Sequence, residues 1–155
     1  MNDLSTILSP ETVFSAVSVG SRKSLFQQLG KLAHEQWGLD ARTVERLLVE
    51  RERLVSTGCG AGIALPHARI EGLRTIHGAF LRLEEPVDFD SVDDLPVDLV
   101  FMLISPAQAG AAHLKALARV SRMLRDRSFA EKLRGAGSDD ALYALLSDSE
   151  ARDAA

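Results

Sequence analysis

Residues 97–104 read Val-Asp-Leu-Val-Phe-Met-Leu-Ile, with Asp98 the single polar side chain in the run. Successive side chains on a strand point to opposite faces, so a stretch this apolar must bury both. It is far short of the roughly 20 residues that cross a bilayer as a helix. A strand buried on both faces needs cover above and below, which means a sheet with helices on each side. The chain has 155 residues, 46% of them hydrophobic, enough for one compact domain with a real core. No repeat, low-complexity linker or shift in composition divides it. The expected fold is therefore α/β: a single domain with a mixed sheet flanked by helices on both faces.

The remaining pattern supplies those elements. Val13 to Val19 alternates loosely as a strand. Gly20-Ser21 opens a helix with an apolar stripe of Leu25, Leu29, Leu32 and Ala33, closed by Gly38. Asp40 caps a second helix carrying Val44, Leu47 and Leu48. Ile63 to Leu65 and Thr75 to Leu83 read as strands, and Glu84 to Pro96 as an acidic, turn-rich connection. From Gly110 the chain is expected to be helical: one helix to Asp126, then pieces around Phe129–Arg134 and Asp139–Leu146. Residues 148–155 read as a polar tail that frays.

Charge and targeting signals narrow the function classes. The formal net charge is −4, from 18 basic and 22 acidic residues. The N-terminus, Met-Asn-Asp-Leu-Ser-Thr, lacks the basic and apolar segments of an export signal. One cysteine, Cys59, excludes an intrachain disulfide and fits a reducing cytoplasm. Neither membrane insertion nor nucleic-acid binding is expected. Residues 113–134 do concentrate basic side chains, but overall acidity and missing aromatics read as a solvated helix face, or one that docks an acidic protein.

Chemistry concentrates at residues 56–69, Ser-Thr-Gly-Cys-Gly-Ala-Gly-Ile-Ala-Leu-Pro-His-Ala-Arg. Gly58, Gly60 and Gly62 permit tight turns and close approach. Pro66 ends the ladder of the preceding strand, leaving His67 presented at a strand end. Helical spacing places Arg51 among Val44, Leu47, Leu48 and Val55, an expensive position for a guanidinium without a partner. It either snorkels from the helix end or makes a bidentate contact with an anion. His113 lies in the first turn of the long helix, on the stripe with Leu117, Val120 and Leu124, where backbone amides favour an anion. A satisfied core histidine is the alternative. His34 falls opposite its helix's apolar stripe and reads as solvated; His77 has no companion. Cys59 could in principle pair with His67, but nothing near it lowers a thiol pKa, so it reads as a small loop filler.

Arg51, His67 and His113 suit one chemistry. A neutral imidazole is a nucleophile near pH 7. Phosphoryl transfer asks mainly for positioning and for charge on the phosphoryl oxygens, which Arg51 and His113 could supply as phosphate-binding groups. The set requires no metal and no cofactor. Other chemistries lack their parts: no Gly-x-Ser-x-Gly elbow, no Cys/His ligands at zinc spacing, no nucleotide-cradling Gly-x-x-x-x-Gly-Lys-Ser/Thr.

The run Arg51-Glu52…Ser56-Thr57-Gly58…Gly62-Ile63-Ala64-Leu65-Pro66-His67 resembles the phosphorylation motif of IIA domains of the bacterial phosphoenolpyruvate:sugar phosphotransferase system, mannitol/fructose class. Pro96–Leu103 resembles that family's central strand and His113–Ala118 its following helix, so the likeness spans the chain. It implies a IIA phosphocarrier domain over residues 1–147. It further implies that His67 accepts a phosphoryl group from an HPr-type carrier, with Arg51 and His113 lining the site. Transport members pass the group to a IIB domain for sugar uptake; nitrogen-regulatory members bind targets according to phosphorylation state. With no IIB or IIC region in these 155 residues, the regulatory branch is expected, and a stand-alone sugar IIA is the alternative. Cys59 stands where the family suggests an aliphatic residue, and Asp93-Asp94-Leu95 where it suggests a glycine-like turn.

Overall fold

The computed structural model describes residues 4–154, with side chains through residue 148. Its centre is β6 (Val97–Pro106), in which Val97 and every residue from Leu99 to Ile104 are completely buried. The doubly apolar run has the reason the sequence required: Leu99, Phe101 and Leu103 point into one hydrophobic cluster, and Val100, Met102 and Ile104 into another. One face is covered by α2 (Arg22–Trp37) and α3 (Ala41–Leu54), through Leu25, Phe26, Leu29, Val44 and Leu48. The other is covered by α1 (Leu4–Ile7), α4 (Ala111–Arg125), α5 (Arg127–Gly135) and α6 (Asp139–Ala154), through residues such as Val120, Leu124, Leu133 and Leu142.

The sheet is mixed. Its order is β1 (Val13–Val17), β5 (His77–Val87), β6, β3 (Ile63–Ala64) and β2 (Gly58–Gly60), and β4 (His67–Ile70) also pairs β6. On one side β6 pairs antiparallel with β5. On the other it pairs in parallel with β3 and then β4, from Ile63↔Leu99 to His67↔Leu103. Pro66 has no N–H to continue the ladder, which divides one line of chain into two short strands. Its carbonyl still accepts from the Leu103 amide at 3.0 Å.

Several expectations are corrected. The strand expected to end at Leu83 runs on to Val87, because pairing to β6 resumes at Val87↔Val97 after an irregularity past Arg82. Glu84–Val87 therefore belong to the strand rather than to the turn. The first strand stops at Val17. The glycine loop contains a two-stranded hairpin, β2–β3, with Ala61 (φ +57°) and Gly62 (φ +82°) at its tip. α6 continues through Ala154 rather than ending at Leu146. Residues 1–3 and 155 lie outside the described part, as does that much of the N-terminal reading.

The helix termini follow local chemistry. Ser21 caps α2 by accepting from the Ser24 amide, Asp40 caps α3 through Thr43, and Asp126 caps α5 through Phe129. Gly38 closes α2 in the left-handed conformation that glycine adopts without penalty.

Candidate functional site

The break at Pro66 starts a new strand on His67, and the imidazole is half-buried beside the carbonyl of Leu65. His67 Nδ1–H donates to that carbonyl at 2.8 Å. The other nitrogen, Nε2, accepts from Arg51 Nε at 3.1 Å. The two contacts agree on one tautomer: proton on Nδ1, lone pair on Nε2. Burial holds the His67 pKa below the usual histidine value. The Leu65 hydrogen bond opposes that shift, the Arg51 cation adds to it and the Glu52 carboxylate opposes it.

Arg51 occupies the last turn of α3, and its Nη1 also donates to the Val55 carbonyl at 2.8 Å. Its surroundings differ from the expected apolar face. The buried stripe of α3 is Val44, Leu48 and Glu52, one residue per turn. Val55 lies past the end of the helix in extended conformation and is exposed, so Arg51 sits at the stripe's edge rather than its middle. The guanidinium is spent on His67 and the chain end, not on snorkelling.

Sequence reasoning passed over Glu52. Its carboxylate accepts from both donors of Thr57, the amide at 2.8 Å and the hydroxyl at 2.5 Å. Arg22 Nη1 lies 3.6 Å from the same carboxylate. The available signal was its spacing: an acid four residues beyond Leu48, on the buried stripe, demands a partner. The connection between α3 and the hairpin is further fixed by Ser56, whose hydroxyl donates to the Phe89 carbonyl at 2.5 Å and accepts from the Gly58 amide at 3.0 Å. Gly58 is required by packing as well: an added Cβ would lie 2.2 Å from the Ser91 hydroxyl.

His113 enters from the opposite layer. It is the third residue of α4 and only 6% exposed, and its ring centroid lies 5.5 Å from that of His67. Its Nδ1 is 2.6 Å from the hydroxyl of Ser105, a fully buried residue of β6 that sequence reasoning also passed over. Burial first, then the neighbouring His67 and Arg69, push the His113 pKa down to about 4. Three side chains from α3, β4 and α4 thus converge, although Arg51 and His113 are remote in sequence.

Arg51 and His67, though not the buried His113, line an open cleft of about 450 Å³ that includes Thr57 and Cys59 on one side and Leu117, Ser121 and Arg125 of α4 on the other. Val92, 81% exposed, stands at its rim. Cys59 belongs to this lining, but its thiol donates to the Thr57 carbonyl at 3.4 Å and burial pushes its pKa up, the opposite of a reactive thiolate. His34 bonds the Leu39 carbonyl at 2.9 Å, and it is exposed. His77 has a companion after all: its ring stacks on Trp37 with centroids 5.1 Å apart, away from the cleft. Among the described residues, no group of three or more His, Cys, Asp or Glu could hold a metal ion, and no helix is long and apolar enough to cross a membrane.

A half-buried imidazole with a lone pair on Nε2, a guanidinium on that nitrogen and a second imidazole beside it therefore lie together at one edge of the sheet. Residues 6–149 match the model of the phosphoenolpyruvate-dependent sugar phosphotransferase system EIIA 2 family. The chain belongs to this family. This IIA domain is 44% identical over 143 residues to a nitrogen regulatory protein of Bradyrhizobium diazoefficiens, covering 92% of this chain and 94% of that one. It is 34% identical over 149 residues to a fructose-specific EIIA component of Haloferax volcanii, covering 96% and 97%. The crystal structure of nitrogen regulatory protein IIA-Ntr from Neisseria meningitidis superposes with a TM-score of 0.88 at 36% identity, covering 92% and 98%.

Proposed function

We propose that this IIA domain carries a phosphoryl group on His67 Nε2, received from an HPr-type carrier, and that it signals by the state of that group. The observation that carries this reading is the pair of contacts on the His67 ring. Leu65 holds the proton on Nδ1, and the nucleophilic nitrogen faces the Arg51 guanidinium.

In the transfer, the Nε2 lone pair attacks phosphorus of the donor's phosphohistidine. The donor's P–N bond breaks and its electron pair stays on the donor imidazole. Arg51 moves its hydrogen bonding from Nε2 to the phosphoryl oxygens, whose charge its planar fork suits. His113 is neutral at pH 7. With the Ser105 hydroxyl donating to its Nδ1, its Nε2–H is free to donate to another phosphoryl oxygen. The nitrogen that receives phosphorus carries no proton to lose, so no general base is needed.

The cleft is where the carrier docks. Exposed Val92 in the cleft lining, with exposed Val55 just after α3 and Leu114 on α4, offers apolar contact around a cationic centre of Arg51 and Arg125. Resemblance to nitrogen regulatory proteins across nearly the whole chain supports regulatory use of the phosphoryl group in the cytoplasm. The weaker likeness to a fructose-specific component keeps onward transfer to a IIB domain as the competing use.

The test is intact-mass analysis after incubation with phosphoenolpyruvate, enzyme I and an HPr-type carrier. The wild-type chain is expected to gain one acid-labile phosphoryl group, and His67→Ala none. A His67→Ala protein that still gains the group overturns the site. Rapid onward transfer to a sugar-specific IIB domain would replace the regulatory reading with transport.

A further inference from the structure

Glu52 is a buried carboxylate that the transfer chemistry above leaves unused. It is 8% exposed, touches neither His67 nor Arg51 by hydrogen bond, and sits one residue from Arg51 on the inner side of α3. Burying a carboxylate costs several kcal/mol unless its lone pairs are taken up. Here both hydrogen bonds come from Thr57, itself only 5% exposed, and Arg22 Nη1 lies 3.6 Å away as the counter-charge.

Thr57 in turn anchors Leu65 and, through it, the His67 ring. The Thr57 carbonyl accepts from the Leu65 amide at 3.0 Å, and the Leu65 carbonyl accepts from His67 Nδ1–H at 2.8 Å. The contacts link residue to residue without a gap: Glu52 fixes Thr57, Thr57 fixes Leu65, and Leu65 fixes the His67 ring. The coupling is positional, because the backbone on both sides of Thr57 and of Leu65 is held by a hydrogen bond.

We propose that Glu52 is a positioning residue for phosphoryl transfer, holding the Leu65 carbonyl through Thr57 so that His67 keeps its proton on Nδ1 and its lone pair on Nε2. This role rests on His67 being the phosphoryl acceptor. As the N–P bond forms, positive charge develops on the His67 ring. The Leu65 carbonyl meets it at Nδ1–H, and the Glu52 charge favours it at longer range. Without the carboxylate, the Leu65 carbonyl loses its fixed aim and the two neutral tautomers of His67 compete. The protonated nitrogen is then sometimes the one facing the donor. The geometry also states what Glu52 does not do: it does not face the cleft, so it contributes nothing to carrier binding.

The experiment compares wild type with Glu52→Gln, Thr57→Val and Thr57→Ser. The His67 tautomer is read by ¹⁵N NMR of the unphosphorylated chain, and single-turnover transfer is measured from a phosphorylated HPr-type carrier. Wild type and Thr57→Ser should show the Nδ1–H tautomer. Glu52→Gln and Thr57→Val should show a mixture, with the saturating transfer rate lowered about tenfold; in Glu52→Gln, whose side chain lies outside the cleft, the half-saturating carrier concentration should be unchanged. A folded Glu52→Gln protein with wild-type tautomer and rate overturns the proposal, as does a raised half-saturating concentration at unchanged rate. If Glu52→Gln does not fold, the Thr57→Val and Thr57→Ser pair decides by the tautomer, which is read without carrier: a wild-type tautomer in folded Thr57→Val overturns the proposal. The tautomer is measured without any carrier. Failure of wild type to be phosphorylated would therefore refute the function, and an unchanged tautomer in the variants would refute the role of Glu52.

Discussion

Replacing Arg51 by alanine separates two effects that the structure assigns to one side chain. The guanidinium donates to His67 Nε2 at 3.1 Å, the nitrogen proposed to take the phosphoryl group. Hydrogen bonds to charged groups contribute about 1.5–3 kcal/mol. Arg51 is half-buried, so solvent screening favours the low end, and transfer should slow roughly tenfold. The second effect has a definite sign. Arg51 lowers the His67 pKa, because its charge opposes a second positive charge on the ring. Removing it raises that pKa toward the ordinary histidine value. His67 must be unprotonated at Nε2 to attack, so the acid limb of the rate profile should move to higher pH in Arg51→Ala. Single-turnover transfer measured between about pH 5 and 8, spanning the ordinary histidine range, with an NMR titration of His67 alongside, reads both effects. An unchanged rate at the alkaline end, or an acid limb displaced to lower pH, would refute the argument. Stability should fall by about 1–2 kcal/mol, for the two hydrogen bonds lost, to the Val55 carbonyl and to His67 Nε2.

Two further outcomes are expected. His113 has a folded pKa of about 4 against 6.5 for an unperturbed histidine, so protonation favours the unfolded chain. Its contribution to stability is complete above pH 6.5 and is lost as pH falls from 6.5 toward 4. Urea unfolding at about pH 7 and about pH 5 should show this loss in wild type, and His113→Gln should lessen it; an identical pH dependence in the variant would contradict the assignment. Gly62→Ala should destabilise the chain by about 1–2 kcal/mol or more. At φ +82° a side chain is strained, and its Cβ would lie 2.5 Å from Arg134 Nη2 and 2.8 Å from Asp98 Oδ1, displacing the ion pair between those residues. A shift in melting temperature of less than a degree would show that the hairpin tip adjusts freely.

The proposals for His67 and Glu52 bear on different links of one system. His67→Ala asks where the phosphoryl group resides, while the Glu52 and Thr57 variants ask what prepares that nitrogen to receive it.

Much of the architecture was legible because it obeys local rules. The doubly buried strand at 97–104 required helical layers on both faces, and from Leu99 to Ile104 period-two alternation sorts its side chains between two clusters. Ser21 and Asp40 cap helices through contacts within three residues, so sequence alone locates those starts. His67 stood out because a proline before it and glycines upstream are readable locally.

What only the tertiary structure decided involves contacts between remote segments. The strand extension to Val87 depends on pairing with Val97, which no local pattern announces. Ser105 becomes a site neighbour only because α4 returns His113 across the end of β6. Arg51 and Glu52 are adjacent in sequence yet face opposite ways. One reaches the ring of His67 from the cleft, and the other acts on it from inside through Thr57 and Leu65. Periodicity states which face of a helix is buried. Which donor waits there is set by the packing of the whole chain, and so are the tautomer and charge of the histidine that sequence made conspicuous.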